Sequence, residues 1–136
     1  MSYAPATAYT PSVPSSFGAI DASNLTVSFT APSSGSVLVR VSFECQNGTG
    51  DSPVFGLTDH TTHAVVAPLF GGLQIGLGPY IPISFALLIT GLTSGGTYQY
   101  DLSGKSSSST LGVVGTGTPS SAVGYAPVTM EVWAAG

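Results

Sequence analysis

The side chains that could bind a metal are concentrated in one short stretch, Asp59-His60-Thr61-Thr62-His63. His60 and His63 are the only histidines of the chain. On a strand, positions i and i+3 point to opposite faces, so the two imidazoles could share an ion only across a turn. A mononuclear zinc site also needs a third and usually a fourth ligand. We therefore predict polar turn residues here and no metal. The alternatives are an ion held within one subunit or shared at a threefold axis.

Residues for catalysis are equally scarce. A serine nucleophile needs a histidine base and an orienting acid, and hydrolases of the nucleophile-elbow type need a Gly-x-Ser-x-Gly turn, which this chain lacks. A carboxylate pair for glycoside hydrolysis could be drawn only from Asp21, Glu44, Asp51, Asp59, Asp101 and Glu131. Most of these lie in turn-like segments, where aspartate usually serves the backbone. We expect a protein without enzymatic activity and without a cofactor.

The surface of the protein must be built with very little charge. Charged residues make up 6% of the 136 residues, against about 25% in an average soluble protein. With only Arg40 and Lys105 as basic residues, the chain cannot neutralise a phosphate backbone, so we expect no nucleic-acid partner. Solubility usually depends on charged surface. We infer that partners cover much of this one.

Two further features limit the class of protein. Cys45 is the single cysteine, so no disulfide can form within the chain, and a buried small side chain is favoured over a reactive thiol because no cation flanks it. The first ten residues contain neither a basic region nor an apolar run, and the most apolar window, 81–90, is far shorter than a membrane-spanning helix. We expect neither a secretory signal nor membrane insertion.

Step by step along the chain, the patterns predict an all-β protein. Three prolines among Ser, Thr and Ala indicate that residues 1–16 form an extended arm, either mobile or laid along a neighbouring subunit. Residues 17–136 are predicted to form one domain. Short alternating segments at sandwich-like or barrel-like spacing indicate about nine or ten strands: 17–20, 24–30, 36–45, 54–58, 64–67, a segment around 73–77, 83–90, 97–103, 110–115 and 127–134. The predicted fold is an antiparallel β-sandwich, with a jelly roll as the favoured form.

The stretch 83–104 is predicted to form a hairpin at the centre of this sandwich. Residues 83–90 are apolar on both faces, which predicts a strand buried on both sides. Residues 97–103 alternate, so Tyr98, Tyr100 and Leu102 are predicted to face the core, and the face with Asp101 and Ser103 is predicted to meet water. The glycines between the strands suit a tight reversal.

Two resemblances follow from these segments. Gly91-Leu92-x-x-Gly95-x-x-Tyr98 resembles the turn of fibronectin type III domains, and this implies that Tyr98 bonds back to the backbone near Leu92. The pattern of residues 24–136, with FTAPSSGSVLVRVSF, ITGLTSGGTYQYDLSG and PVTMEVWAAG, resembles small virion proteins of tailed bacteriophages. That resemblance implies a tumour necrosis factor-like jelly roll, a homotrimer, and a role in head decoration or at the tail tip.

The resulting hypothesis is a trimeric decoration protein on the surface of a phage head, assembled in the host cytoplasm. Its partners would be its sister subunits and the major capsid or tail protein. The candidate interface residues are Tyr3, Tyr9, Phe85, Leu87, Tyr98, Tyr100 and Trp133. The first alternative is a tail receptor-binding module, in which Tyr80, Tyr125 or Trp133 would stack on cell-wall sugar. The second alternative, a secreted adhesion module, is weakened because the expected signal is absent.

Overall fold

Alternation of apolar and polar residues builds an antiparallel β-sandwich, with nine strands in the residues that the structure describes. The computed structural model describes residues 1–3, 11–46, 53–66, 80–106, 112–114 and 127–136. Within these ranges the strands are β1 (Ser2–Tyr3), β2 (Gly18–Ala19), β3 (Thr26–Thr30), β4 (Val37–Gln46), β5 (Val54–Asp59), β6 (Tyr80–Ile89), β7 (Thr97–Lys105), β8 (Gly112–Val114) and β9 (Val128–Ala134).

The strands form two sheets. The first sheet has the order β1-β9-β4-β6, and β8 pairs with the end of β4. The second sheet has the order β2-β7-β3, and β5 pairs with β7. From β3 to β7 each successive strand enters the opposite sheet, while the first and last strands lie side by side. This is the strand order of a jelly roll, the favoured form of the predicted sandwich.

The core lies between the sheets and is lined by one face of each long strand. Alternate residues of β4 and β6 point inward and are buried, including Val39 and Phe85. The ring of Phe43 in the first sheet meets that of Phe55 in the second edge to face, with 5.0 Å between their centroids. Cys45 is buried on the same face, as predicted.

The number of regular strands is lower than predicted. Seven of the nine strands have three or more residues, and β1 and β2 are two-residue pairings. The predicted strand at 64–67 is reduced, in its described part, to one bridge between Val65 and Thr58. The segment predicted around 73–77 lies outside the described residues.

The predicted hairpin at 83–104 is wrong. β6 pairs with β4, whereas β7 pairs with β2, β3 and β5 in the other sheet, so residues 90–96 cross from one sheet to the other. Burial on both faces of β6 is also wrong within one subunit, because its residues alternate strictly between buried and exposed from Ile83 to Thr90. Its second face, which includes Ala86 and Leu88, is exposed.

A tyrosine corner stabilises this crossover. The Tyr98 hydroxyl accepts a hydrogen bond from the backbone N–H of Thr93 at 2.9 Å, which confirms the predicted contact near Leu92. Gly91 and Gly95 adopt positive φ angles of 78° and 76° on either side of this bond. The tyrosine corner is thus a local device that a jelly roll can also use.

The N-terminal segment packs on its own subunit in the parts that the structure describes. Ser2–Tyr3 adds to the edge of β9. Val13 is buried in the core, and the carbonyl of Pro14 accepts a hydrogen bond from the N–H of Ser106 at 2.9 Å. The predicted arm lying free or on a neighbour is therefore wrong for residues 1–3 and 11–14. Val13 is apolar and is buried in the core of its own subunit. β1 pairs with backbone groups at the edge of β9 that would otherwise lack hydrogen-bond partners.

Candidate functional site

The outer face of the first sheet carries a row of exposed apolar side chains. In the register of β4 with its two neighbours, Leu38 lies beside Trp133 of β9 on one side and beside Leu88 of β6 on the other. Leu38 is 37% exposed, Leu88 57% and Trp133 59%. We call these three residues the apolar row. Single exposed leucines are normal on a protein surface, whereas a row of apolar side chains across three paired strands is a candidate binding surface.

The next row of the same face combines opposite charges with a small residue. Arg40 of β4 lies between Glu131 of β9 and Ala86 of β6, and all three are exposed. Cross-strand neighbours have Cβ atoms about 5 Å apart, so Arg40 and Glu131 are placed to attract each other. Glu131 is therefore the charged cross-strand neighbour of Arg40. Arg40 is one of only two basic residues in the chain.

The predicted interface residues fall into different environments. Phe85, Leu87 and Tyr100 are buried in the core of their own subunit, so their assignment to an interface is wrong. Tyr98 is half-buried and stacks on Phe29, with 5.9 Å between the ring centroids. Only Trp133 among the seven has a side chain that the structure shows to be exposed.

The remaining tyrosines are only partly described. Tyr3 pairs through its backbone with Val128, and Tyr80 pairs through its backbone with Gln46. The structure does not describe the side chains of Tyr3 and Tyr80. Tyr9 and Tyr125 lie outside the described residues.

The second sheet carries a buried polar cluster where solvent-facing residues were predicted. Asp101 and Ser103 are fully buried, although sequence alternation assigned them to water. Asp101 lies between Thr26 and Thr58 in the register of the sheet. Its Oδ1 accepts a hydrogen bond from the Thr26 hydroxyl at 2.5 Å and lies 2.8 Å from Nδ1 of His60. His60 lies against Asp101 on the outer face of β7, and this contact explains why the alternation misleads at Asp101.

The cluster contains a second hydroxyl pair. The Thr58 hydroxyl and the Ser103 hydroxyl lie 2.7 Å apart, and both residues are buried. The other carboxylate oxygen of Asp101, Oδ2, is buried and has no hydrogen-bond partner. Burial also raises the pKa of the neighbouring Tyr100 phenol, and the charges of Tyr98 and Asp59 raise it further.

The stretch with metal-ligand residue types forms a polar turn, as predicted. Oδ1 of Asp59 accepts hydrogen bonds from the backbone N–H groups of Thr61 and Thr62 and from the Thr62 hydroxyl. The bond from the Thr62 N–H is the main reason that the pKa of Asp59 lies below its usual value. His63 adopts a positive φ of 60° at the end of the turn, and it is exposed.

The order of hydrogen bonds in the cluster determines what it can do. In a nucleophile-base-acid triad, the histidine lies between the hydroxyl and the carboxylate. Here the carboxylate of Asp101 lies between the Thr26 hydroxyl and His60, so the hydroxyl contacts the carboxylate and not the imidazole. The Thr26 hydroxyl also lies within hydrogen-bond distance of the Ala22 carbonyl, at 2.8 Å. The cluster therefore ties the turn after β5 to the sheet.

Among the described residues, no three His, Cys, Asp or Glu side chains are grouped closely enough to hold an ion. The part of the chain that the structure describes contains no helix long and apolar enough to cross a bilayer.

The sequence did not identify the apolar row as a unit. By alternation, Leu38 lies on the same face of its strand as Arg40, and Leu88 lies on the same face of residues 83–90 as Ala86. The available signal was a leucine at a solvent-facing position on each of two strands. Their alignment with Trp133 depends on the pairing register, which no local pattern encodes.

Comparison of the chain with protein-family models, with curated proteins and with solved structures finds no match.

Proposed function

We propose that this protein is a non-enzymatic structural protein of a virion, which decorates the head of a tailed bacteriophage. It would act by cohesion, binding its sister subunits and the major capsid protein through apolar surface. It would be displayed on the virion surface after assembly in the host cytoplasm, without a cofactor. The location on a phage particle and the homotrimer are taken from the resemblance to phage virion proteins.

The observation that carries the proposal is the exposed apolar row on a surface almost without charge. Only Arg40 and Glu131 carry charge in the two rows that cross β9, β4 and β6. Covering a leucine or tryptophan side chain stabilises a contact by about 2 kcal/mol when burial is complete. Protein partners use such faces, because binding removes apolar area from water.

A second candidate function is a tail module that binds cell-wall sugar. The exposure of Trp133 favours it, because an exposed aromatic ring can stack on the apolar face of a sugar. In this alternative Trp133 binds glycan instead of protein. Tyr80 and Tyr125 were predicted as further stacking residues.

One binding experiment separates the two functions. Tagged protein is incubated in parallel with empty phage capsids and with host cells or their cell-wall fragments. Decoration predicts binding to capsids and none to cells, and a tail role predicts the reverse. The variants Trp133→Ser and Lys105→Glu serve as the test and the matched surface control. Light scattering on the free protein tests assembly: a mass of 13.6 kDa at micromolar concentration would contradict a homotrimer.

A further inference from the structure

We propose that the outer face of the first sheet binds a second copy of the same chain, around a twofold axis that runs parallel to the strands between β4 and β9. The inference rests on the self-assembling role proposed above and specifies the partner and the symmetry of one contact. The argument starts from the register of β4 with β9, in which Leu38 pairs with Trp133, Arg40 with Glu131 and Ser42 with Thr129.

The proposed axis exchanges the members of each pair. When a second sheet packs face to face on the first about this axis, Leu38 of one copy lies over Trp133 of the other, and Arg40 lies over Glu131. Each contact then occurs twice, as a twofold interface requires. Stacked sheets lie about 10 Å apart, a distance at which the facing side chains meet.

Other axes do not give the same match. An axis along β4 would place Arg40 over its own copy, and like charges in contact are unfavourable. An axis between β4 and β6 would place Arg40 over Ala86 and leave its charge without a partner. An axis across the strands through the charged row would place Arg40 over its own copy, and one between the two rows would place charges over apolar side chains. An axis across the strands through the apolar row would leave both charges without an opposite charge facing them. Only the axis between β4 and β9 matches both charge and apolar character.

The charges on this face fit a second copy of the chain as its binding partner. The face carries one positive and one negative charge in these two rows, so it complements itself and offers no net charge to a strongly basic or acidic partner. A twofold contact is distinct from the threefold contact that the phage resemblance implies. In a trimeric protein, it would join two trimers.

The test uses charge reversal and mixing. Arg40→Glu leaves two acidic residues in the charged row, and Glu131→Arg leaves two basic ones, so each variant alone repels its own copy. In an equimolar mixture, the first variant faces the second with opposite charges at both positions. Each variant alone should bind itself at least about tenfold more weakly than the wild type, because like charges meet twice. Mixing should restore association between unlike copies.

The mixture also controls for effects within one subunit, because Arg40 and Glu131 are neighbours there too. If a charge reversal destabilises the fold of its own subunit, it does so in the mixture as well. Association that returns on mixing therefore reports the contact between copies. Lys105→Glu changes the net charge as much as Arg40→Glu but lies on β7 of the other sheet, and it should leave association unchanged. Trp133→Ser changes no charge and should weaken it.

Native mass spectrometry and light scattering give the readout. The proposal predicts a wild-type mass that is an even multiple of 13.6 kDa, and mixed assemblies when the two reversed variants are combined. A wild-type monomer or trimer, or a mixture that does not associate, would overturn it. Monomeric wild-type protein whose capsid binding is lost in Trp133→Ser would show that the capsid protein covers this face instead. The capsid-binding assay of the wild type tests decoration independently.

Discussion

At the scale of single residues, the buried hydroxyl pair of Thr58 and Ser103 offers a test of the polar cluster. Ser103→Ala leaves the buried Thr58 hydroxyl without the partner it has at 2.7 Å, and an unsatisfied buried hydroxyl costs about 1–3 kcal/mol. Thr58→Val should cost less, because the Ser103 hydroxyl still donates a hydrogen bond to the backbone carbonyl oxygen of Asp101 at 3.3 Å. Equilibrium unfolding in urea measures both changes.

The double variant provides the control for this pair. When both partners become apolar, neither hydroxyl is left buried and unpaired, so Thr58→Val with Ser103→Ala should cost clearly less than the sum of the single changes. Additive costs would show that the two hydroxyls do not depend on each other. Gln99→Ala, at an exposed position two residues before Asp101, should lie within about 0.5 kcal/mol of the wild type.

The turn after β5 should lose stability in acid because of Asp59. Its pKa in the folded protein lies below the ordinary value of 3.8. A carboxyl with a lowered folded pKa contributes stability above its unfolded pKa, and this contribution is lost as the pH falls through the folded value. Nuclear magnetic resonance of the Asp59 carboxyl carbon should therefore give a midpoint below 3.8. A midpoint at or above 3.8 would contradict the hydrogen bonds assigned to this turn.

At the scale of structural elements, Val13 tests whether the N-terminal segment belongs to its own subunit. Val13→Ala removes two methyl groups from the core, which should cost about 2 kcal/mol of unfolding free energy. Val65→Ala is the matched control, because Val65 is 53% exposed, and it should change stability by less than about 0.5 kcal/mol. If residues 11–14 lay on a neighbour, the two variants would be equally stable as monomers.

The turn before β4 lies close to the crossover between the sheets. This contact predicts that alanine substitution destabilises the protein more at one of two glycines than at the other. Gly35 and Gly91 both have positive φ, so alanine at either position is strained by about 1 kcal/mol. A Cβ at Gly35 would also lie 2.6 Å from the Leu92 carbonyl oxygen, whereas a Cβ at Gly91 would meet nothing within 4 Å. Gly35→Ala should therefore be the more destabilising, as urea unfolding can measure. Equal costs would contradict this close approach.

The elements themselves could be predicted where one face of a strand meets the core. β3, β4, β7 and β9 lie within two residues of their predicted ends, because alternation has the period of a strand. The pairing could not be predicted in the same way. The glycines of residues 91–96 suit a hairpin and a crossover equally well, and the choice between them depends on contacts distant in sequence.

The candidate surface, too, could be predicted only in part. Trp133 was named from its residue type, whereas Leu38 and Leu88 gained their meaning only when the register aligned them with it. Phe85, Leu87 and Tyr100 were placed at an interface because large apolar residues serve interfaces and cores alike. Asp101 was placed in water because alternation assumes that one face of a strand is open. In this protein, His60 lies against Asp101 on that face.

At the scale of the whole molecule, self-association should make thermal stability depend on concentration. A partner that binds only the folded chain stabilises it by mass action. When the partner is a second copy, the gain is about 0.7 kcal/mol per chain for each tenfold rise in total concentration above the dissociation constant, because the free monomer rises only as the square root of the total. For a chain of this size, that corresponds to a rise of a few degrees in Tm. Scanning calorimetry of the wild type over a hundredfold range of concentration should show this rise.

Trp133→Ser identifies the face responsible. The residue is exposed, so its replacement should leave the Tm of the dilute protein nearly unchanged. At high concentration the variant should show a smaller rise in Tm than the wild type, because the tryptophan that would cover Leu38 of a second copy is absent. Equal concentration dependence in both proteins would show that another surface holds the assembly together. A wild-type Tm independent of concentration would show that the chain does not associate with itself, which leaves the apolar row to a different partner.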